Sequence, residues 1–399
     1  MSNLSRRSFL AGGAALLAAS PVIAQSLNEL PRAAWAPASE KKVRIGVVGG
    51  RFGLSFHWHE HPNCTVEAVS DLRPGRRAQL QGRYKCEKAY PSLETLVLDP
   101  GIDAVALFTP APDHARHVLL CFEHGKHVIS ACPACMTLDE AHAMHEAQER
   151  TGLTYMSAET SYYRWESITA RRLFEAGKFG EMVYCEGEYY HPGIGYSTDS
   201  LSWWAGNEQK TWRYGFPPML YPTHSTAFLV GVTNERLVSV SAIGKREKKD
   251  PAFQDNRYNN PFSNGTALCR TDKGHPFRFN VFWDVFAHGE RATWFGDEAV
   301  LYMPGHGGQP FAAKFERETI TEVPDYFHEV PEAMRYNKGH GNSHPFLTNE
   351  FIMALVEERA PAIDLEKALA FCVPGIVAHD SCFKDGETLP IPQFEKLPV

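Results

Sequence analysis

Tyr221-Pro222-Thr223-His224 sets two proton-transfer side chains one helical turn apart. Proline suits the first turn of a helix, and residues three apart share a helix face. Histidine titrates near neutrality, and a tyrosine whose pKa is lowered can act as a base. The string therefore predicts acid–base chemistry, with a satisfied histidine at a helix N-terminus as the plainer alternative. Around it lies an aromatic region of Tyr189, Tyr190, Trp203, Trp204, Trp212, Tyr214 and Tyr221. Such rings stack on the apolar faces of sugars, although an aromatic core or a subunit interface uses the same residues.

A second chemical signal lies upstream. The apolar run Val43 to Val48 ends in Gly49-Gly50-Arg51-Phe52-Gly53. A strand, a glycine turn and then a helix is the phosphate cradle of a dinucleotide-binding unit, although GGxxG departs from the usual GxGxxG spacing. Val66 to Asp71 reads as the next strand and ends in an acid where a ribose-binding carboxylate belongs. Asp71 favours NAD by repelling a 2′-phosphate, while Arg73, Arg76 and Arg77 nearby leave NADP open. Asp71 as a helix N-cap is the alternative.

Two further clusters contain ligand-type residues. Cys132 and Cys135 form a C-x-x-C at a strand end, with no second pair to complete a zinc site. Packing around the nicotinamide is expected of them. His57-Trp58-His59-Glu60-His61 falls in the helix expected after the glycine turn, where alternating histidines do not share a face. Surface or capping roles are expected there, and no metal is assigned.

The elements that must carry these residues follow an α/β rhythm. Ile102 to Phe108 is a strand ending in Thr109-Pro110, and His114 lies in the first turn of the helix beyond it. Lys126 to Ser130 is another strand, and Thr137 with Glu140 opens a helix as a capping box. Strands alternating with helices predict a parallel, doubly wound sheet. After Glu181 the pattern changes to consecutive strands at Met182–Tyr190, Leu237–Ile243, Gly265–Arg270, Phe277–Trp283 and Ala292–Phe295. The fold class expected is α/β: an N-terminal Rossmann domain over 43–160, then an α/β domain over 161–399 with a large, mostly antiparallel open sheet. Phe346 to Glu357 reads as an amphipathic helix.

Residues 1–24 read as an address. Arg6-Arg7 precede an apolar run and a small-residue cleavage site after Ala24, which together predict a twin-arginine signal and a periplasmic or exported protein. The apolar run is too short to span a bilayer comfortably, and residues 25–42 read as an extended arm. The formal charge of −7 includes Arg6 and Arg7, and no acid precedes Gln25, so the mature chain carries −7 − 2 = −9. That acidity, with no basic stripe, argues against a nucleic-acid partner. Nine scattered cysteines in a chain long enough to bury its own core predict free, buried thiols.

The order Thr109-Pro110-Ala111-Pro112-Asp113-His114, Gly125-Lys126-His127-Val128, the Pro133 turn, Thr137 to Ala141 and Gly177 to Glu181 resembles the Gfo/Idh/MocA oxidoreductases. Dehydrogenases of that family usually read Glu-Lys-Pro where this chain reads Ala131-Cys132-Pro133. Tyr221 to His224 with a lysine-free turn looks like the NAD-dependent glycoside hydrolases of the family 109 type, which read Glu-Val-Pro-Ala at Ala131 to Ala134. Gly180-Glu181-Met182-Val183, Glu186-Gly187-Glu188-Tyr189 and Gly339-His340-Gly341 match the same branch, whereas Asn342-Ser343-His344 departs from it.

This resemblance implies a bound NAD, a small-molecule carbohydrate substrate and a homo-oligomer, with no stable membrane insertion. It implies Tyr221 and His224 as catalytic residues. The cofactor side is expected to include Gly49 to Gly53, Asp71, Thr109, Pro110, His114, Cys132, Pro133 and Glu159. The sugar side is expected to include Tyr163, Tyr189, Trp212, Tyr214 and His340. The implied reaction is hydrolysis through transient oxidation at C3, elimination of the aglycone, water addition and re-reduction. It differs from the two-carboxylate mechanism. An exported sugar oxidoreductase with tightly held NAD(P) and a non-catalytic sugar-binding protein are the alternatives.

Overall fold

The computed structural model describes residues 34–37, 39–196, 211–305, 307–335 and 339–394. The expected signal peptide, most of the arm, and Trp203 and Trp204 lie outside the described residues. Two sheets organise the chain.

The first sheet is formed by β1 (Val43–Val48), β2 (Cys64–Ser70), β3 (Ala89–Tyr90), β4 (Ala104–Leu107), β5 (His127–Ser130) and β6 (Tyr155–Ser157). Their spatial order is β3-β2-β1-β4-β5-β6, and every pair is parallel. This is the doubly wound order whose switch point lies between β1 and β4, and ligands bind beyond the carboxyl ends of such strands. β1, β4 and β5 are buried almost without interruption because both faces are covered.

The covering helices are α1 (Pro74–Tyr84), the single turn α2 (Leu93–Leu96), α3 (His114–Glu123) and α4 (Leu138–Thr151). Local signals set their ends. Pro74 occupies the first turn of α1. The Thr137 hydroxyl accepts from the Glu140 amide to open α4, and Gly152 closes it at φ 65°.

The expected helix after the glycine turn is absent. β1 is followed by a four-residue 3-10 turn at Phe52–Ser55 and a three-residue one at Trp58–Glu60. The histidines there are not on a helix surface: His57 and His61 are buried, with His57 Nδ1 2.6 Å from Glu60 Oε2 and His61 Nε2 3.1 Å from Asn349 Oδ1.

α5 (Trp165–Glu175) leads to the second sheet: β7 (Met182–Tyr190), β8 (Leu237–Arg246), β9 (Phe262–Thr271), β10 (Pro276–Phe282), β11 (Gly289–Gly296), β12 (Ala299–Tyr302), β13 (Ala312–Phe315), β14 (Thr319–Ile320) and β15 (Leu389–Pro390). The order is β14-β13-β12-β11-β7-β10-β9-β8-β15. Only β7 and β10 pair in parallel. The four short strands β12–β15 had no clear alternation in the sequence.

Against this sheet lies α6 (Thr223–Thr233), buried on all sides. A helix without a polar face belongs in a core. Two of its hydroxyls are satisfied internally: Ser225 donates to the Asn280 carbonyl at 2.8 Å, and Thr226 to that of Phe371 at 2.7 Å.

The chain then returns across the first sheet. α7 (Ser343–Val356) packs against β1, while α8 (Leu365–Phe383) packs against both β6 and β8. A Cβ on Gly375 of α8 would stand 2.1 Å from the Met219 carbonyl, so only glycine lets the segment entering Tyr221 approach so closely. The two sheets thus share one helix, which fixes α6 beside the ends of β5 and β6.

Candidate active site

Asp71 Oδ2 accepts from the Gly50 amide at 2.6 Å, and its Oδ1 accepts from the Arg73 amide at 2.8 Å. The acid after β2 thereby braces the glycine turn. Gly49 adopts φ 102°, and a Cβ there would lie 2.2 Å from the Phe108 carbonyl oxygen. Only glycine therefore lets this turn pack so closely against the end of β4. This geometry fits a dinucleotide, although the short 3-10 turn behind it offers little helix dipole. The ends of β1 and β6 are three interstrand steps apart, about 14 Å. A dinucleotide held at Gly49 to Gly53 would extend toward β5 and β6.

His114 has a different role from the one expected. It is buried, and its two ring nitrogens each lie 2.8 Å from a carbonyl oxygen, those of Pro133 and Thr109. It ties the turn after β4 to the turn after β5 and has no nitrogen left for a cofactor. Thr109 Oγ1 is 2.9 Å from His117 Nδ1.

The chemical centre lies where β5, β6, α6 and β11 converge. His224, in the first turn of α6, directs Nδ1 to Glu159 Oε1 at 2.7 Å. Glu159 follows β6, is fully buried and also accepts from the Ser161 amide at 2.9 Å. It is thus the partner of His224 through Oε1. His224 Nε2 lies 3.8 Å from the Sγ of Cys132. Cys132 therefore faces the histidine, whereas Cys135 turns away to Cys372, with sulfurs 3.4 Å apart.

Sequence reasoning missed three residues here. The Ser161 hydroxyl lies 3.3 Å from His224 Nδ1 and donates to Glu290 Oε2 at 3.1 Å. Glu290 Oε2 is itself 3.9 Å from His224 Nδ1, and Arg164 ion-pairs with that carboxylate. Ser161 and Arg164 follow Glu159 closely enough to have been suspected. Glu290 comes from β11 and carried no local signal.

The electrostatics follow from this arrangement. Burial opposes charge on His224, but Glu159 and Cys132 outweigh it and hold the imidazole well above its ordinary range. Burial likewise opposes charge on Glu159, yet His224, with Thr223 and the Ser161 amide, brings its carboxyl down to about 2. The expected lowering at Tyr221 is not found: burial pushes its hydroxyl well above the usual tyrosine range, the neighbouring Cys132 adds to this, and His224 offsets it only in part. Burial also raises Tyr189, to about 12. Both phenols are suited to donate hydrogen bonds while neutral.

The aromatic wall is only partly the one expected. Tyr189, Tyr221 and His224 pack together, with centroids 4.6 Å apart for Tyr189–His224 and 5.3 Å for Tyr221–His224. Tyr221 precedes α6 instead of belonging to it, so the two rings meet through the turn at Pro222. Trp283 closes the back, 6.1 Å from each tyrosine. Trp212 joins this wall through Phe216; Tyr214 is half-buried nearby in sequence. Tyr190 stacks on Phe282 at 5.0 Å, and Tyr163 packs on Tyr162 and Phe346. His340 is exposed, 5.5 Å from the Phe52 ring of the glycine turn, with Nδ1 3.0 Å from His344 Nε2.

Cys132, Glu159 and His224 bring three possible metal donors within 4.8 Å of one another. A metal requires donors that converge on one point. His224 offers opposite ring nitrogens to Glu159 and Cys132, so these three side chains form a relay through the imidazole.

Residues 43–159 match the oxidoreductase family with the NAD-binding Rossmann fold, Gfo/Idh/MocA. The N-terminal domain of this chain therefore matches the Gfo/Idh/MocA family. Its cofactor is NAD. The chain is 28% identical over 257 residues to glycosyl hydrolase family 109 protein 1 of Bacteroides thetaiotaomicron, covering 58% of this chain and 54% of that protein, so it spans about half that relative's length. It is 26% identical over 398 residues to the glycosyl hydrolase family 109 protein of Solibacter usitatus, covering 89% and 88%.

In fold it is similar to levoglucosan dehydrogenase solved with NADH and levoglucosan: TM-score 0.75, 17% identity, 88% of this chain and 100% of that one. The scyllo-inositol dehydrogenase of Lactobacillus casei gives 0.65 at 15% identity, covering 88% and 99%. Among the described residues no helix is long and apolar enough to cross a membrane.

Proposed function

We propose that this protein is a glycoside hydrolase that oxidises its sugar transiently. The observation that carries the reading is the buried His224 centre, set at the strand ends toward which a cofactor on the glycine turn extends. The family 109 relatives support it. Bound NAD supplies a reversible hydride acceptor at C3 of the sugar. A ketone at C3 acidifies the C2 proton, whose removal expels the aglycone from C1. Water adds to the enone, and the ketone returns to the alcohol.

His224, held between Glu159 and Cys132, assists proton movement at O3. Tyr189 and Trp212 wall the sugar, and Tyr221, held neutral, donates a hydrogen bond to it. A cofactor restored in every turnover suits a protein exported fully folded, and we propose the twin-arginine route and a periplasmic destination for this chain. A homo-oligomer completes the proposal.

The raised Tyr221 favours a second reading, a sugar oxidoreductase with tightly held NAD, because it leaves no ready base for C2. Turnover of chromogenic α- and β-glycosides in heavy water separates the two. The hydrolase should release aglycone and place deuterium at C2. Hydrolysis with C2 unlabelled refutes the elimination, and net oxidation or reduction without aglycone release selects the oxidoreductase. Tyr221→Phe should keep NAD binding and slow turnover about 10-fold, the effect of losing one hydrogen bond of ~1–1.5 kcal/mol. Unchanged turnover in that variant would remove Tyr221 from the site.

A further inference from the structure

Cys132 occupies a position of consequence that neither the fold nor the family relatives explain. It lies two residues past the end of β5, at the sheet edge toward which a dinucleotide on the glycine turn would extend, and it is buried. Its sulfur faces His224 Nε2 at 3.8 Å, while Glu159 holds Nδ1 of the same ring at 2.7 Å and is itself anchored by the Ser161 amide at 2.9 Å. The order is therefore thiol, imidazole, carboxylate, supported by backbone. A thiol next to a histidine that a third group orients is the recurring geometry of an activated sulfur.

The surrounding groups favour one positive charge on the imidazole. Two carboxylates, Glu159 and Glu290, lie within 3.9 Å of Nδ1, and Arg164 answers only the second. The other titratable groups facing the pair are Tyr189 and Tyr221, both kept neutral by burial, with Arg213 and His340 farther out. Neither phenol competes with the sulfur as proton acceptor. Other cysteines lack this environment. Burial drives the thiols of Cys64, Cys121, Cys185 and Cys269 upward, and Lys42 and Lys126 offset this only in part at the first two.

We propose that Cys132 is a catalytic thiolate paired with the His224 imidazolium, and that it accepts the proton of the sugar hydroxyl being oxidised. Glu159 is the positioning residue of the pair. The inference rests on the reading that a sugar alcohol is oxidised at this site, and it holds for the hydrolase and the oxidoreductase alike. In the forward step the O–H bond breaks and an S–H bond forms on Cys132. The carbon's C–H electron pair leaves with its hydrogen as hydride to the nicotinamide of NAD, and the oxygen lone pair closes the C=O bond. On re-reduction the carbonyl oxygen takes the proton back from Cys132. No outside oxidant or reductant enters.

The test starts without sugar. Thiolate ultraviolet absorbance of the full-length protein is titrated against pH for wild type and Cys132→Ser, which reads ionisation whatever the access to reagent. The difference should be the absorbance of one thiolate, present in wild type near a pH of about 6 and absent from Cys132→Ser. Iodoacetamide with peptide mapping should modify Cys132 about 10- to 100-fold faster than the other eight thiols near a pH of about 6. Glu159→Gln should shift the titration upward and erase most of that advantage, and His224→Gln serves if that variant does not fold.

With substrate, Cys132→Ser should bind NAD as wild type does while forming NADH ~10²-fold more slowly. A Cys132 that titrates like a free or buried thiol overturns the proposal, as does one stoichiometric metal bound at the site. Wild-type NADH formation by Cys132→Ser overturns the catalytic role while leaving the hydrolase reading intact. Normal thiolate behaviour without glycoside turnover sinks the hydrolase reading and leaves the pair standing.

Discussion

Glu159→Gln removes a charge and keeps the shape, so it isolates what the buried carboxylate contributes. The folded protein lowers the Glu159 carboxyl from 4.5 to about 2. A difference of 2.5 units at 1.36 kcal/mol each is about 3 kcal/mol of folding free energy. Breaking a buried ion pair by deleting one partner costs ~3–5 kcal/mol, which agrees. Two effects trim the loss: the glutamine oxygen can still accept from Nδ1–H, and His224 can release its proton. We therefore expect a destabilisation of about 2–3 kcal/mol.

The pH dependence is a sharper test than the size. A depressed carboxyl stabilises above its unfolded value, and that stability is lost as pH falls through the folded value. The gap between wild type and variant should be open above 4.5 and should close toward about 2. The raised His224 contributes fully below the ordinary histidine range and loses its contribution as pH rises through its folded value. Both contributions are thus present between the ordinary glutamate and histidine ranges. Equilibrium urea unfolding across that range reads the gap as a midpoint shift at constant slope. A loss under ~1 kcal/mol, or a gap indifferent to acid, would refute the assignment of Glu159 as the counter-ion of His224.

Asp71→Ala should weaken NAD ~10- to 100-fold by calorimetry while leaving sugar affinity near wild type, since a hydrogen bond to a charged group is worth ~1.5–3 kcal/mol; a dissociation constant within about twofold of wild type contradicts the ribose role. Gly49→Ala should abolish NAD binding and cost ~2 kcal/mol or more, because its φ and the Phe108 carbonyl both reject a side chain; wild-type thermal stability would show that the turn can relax. Replacing Arg6-Arg7 by Lys-Lys should trap the protein in the cytoplasm, checked by fractionation, and unchanged export would argue against the twin-arginine route.

Much of this fold was written locally. β1 with its glycine turn, the acid after β2, the α4 cap at Thr137 and the strands after Glu181 all depend on neighbours a few residues away, so periodicity and cap chemistry expose them. Tyr221 and His224 were legible for the same reason, being three residues apart.

What surrounds them was not. Glu159 lies 65 residues from His224, Cys132 lies 92 away, and Glu290 is 129 from Ser161. Without contacts, Glu159 was read as a cofactor residue and Cys132 as packing. Burial also reversed one expectation: spacing gave Tyr221 a partner, but the ring wall around it raises its hydroxyl instead of lowering it. The helix expected after Gly53 shrank to a 3-10 turn, where Tyr84 and the Phe108 ring hold the segment. Chain order alone specified most of the longer strands, the glycine turn and the closeness of Tyr221 to His224. Only the tertiary structure decided which groups that pair meets and how they are charged, because desolvation and ion pairing depend on side chains that chain order keeps far apart.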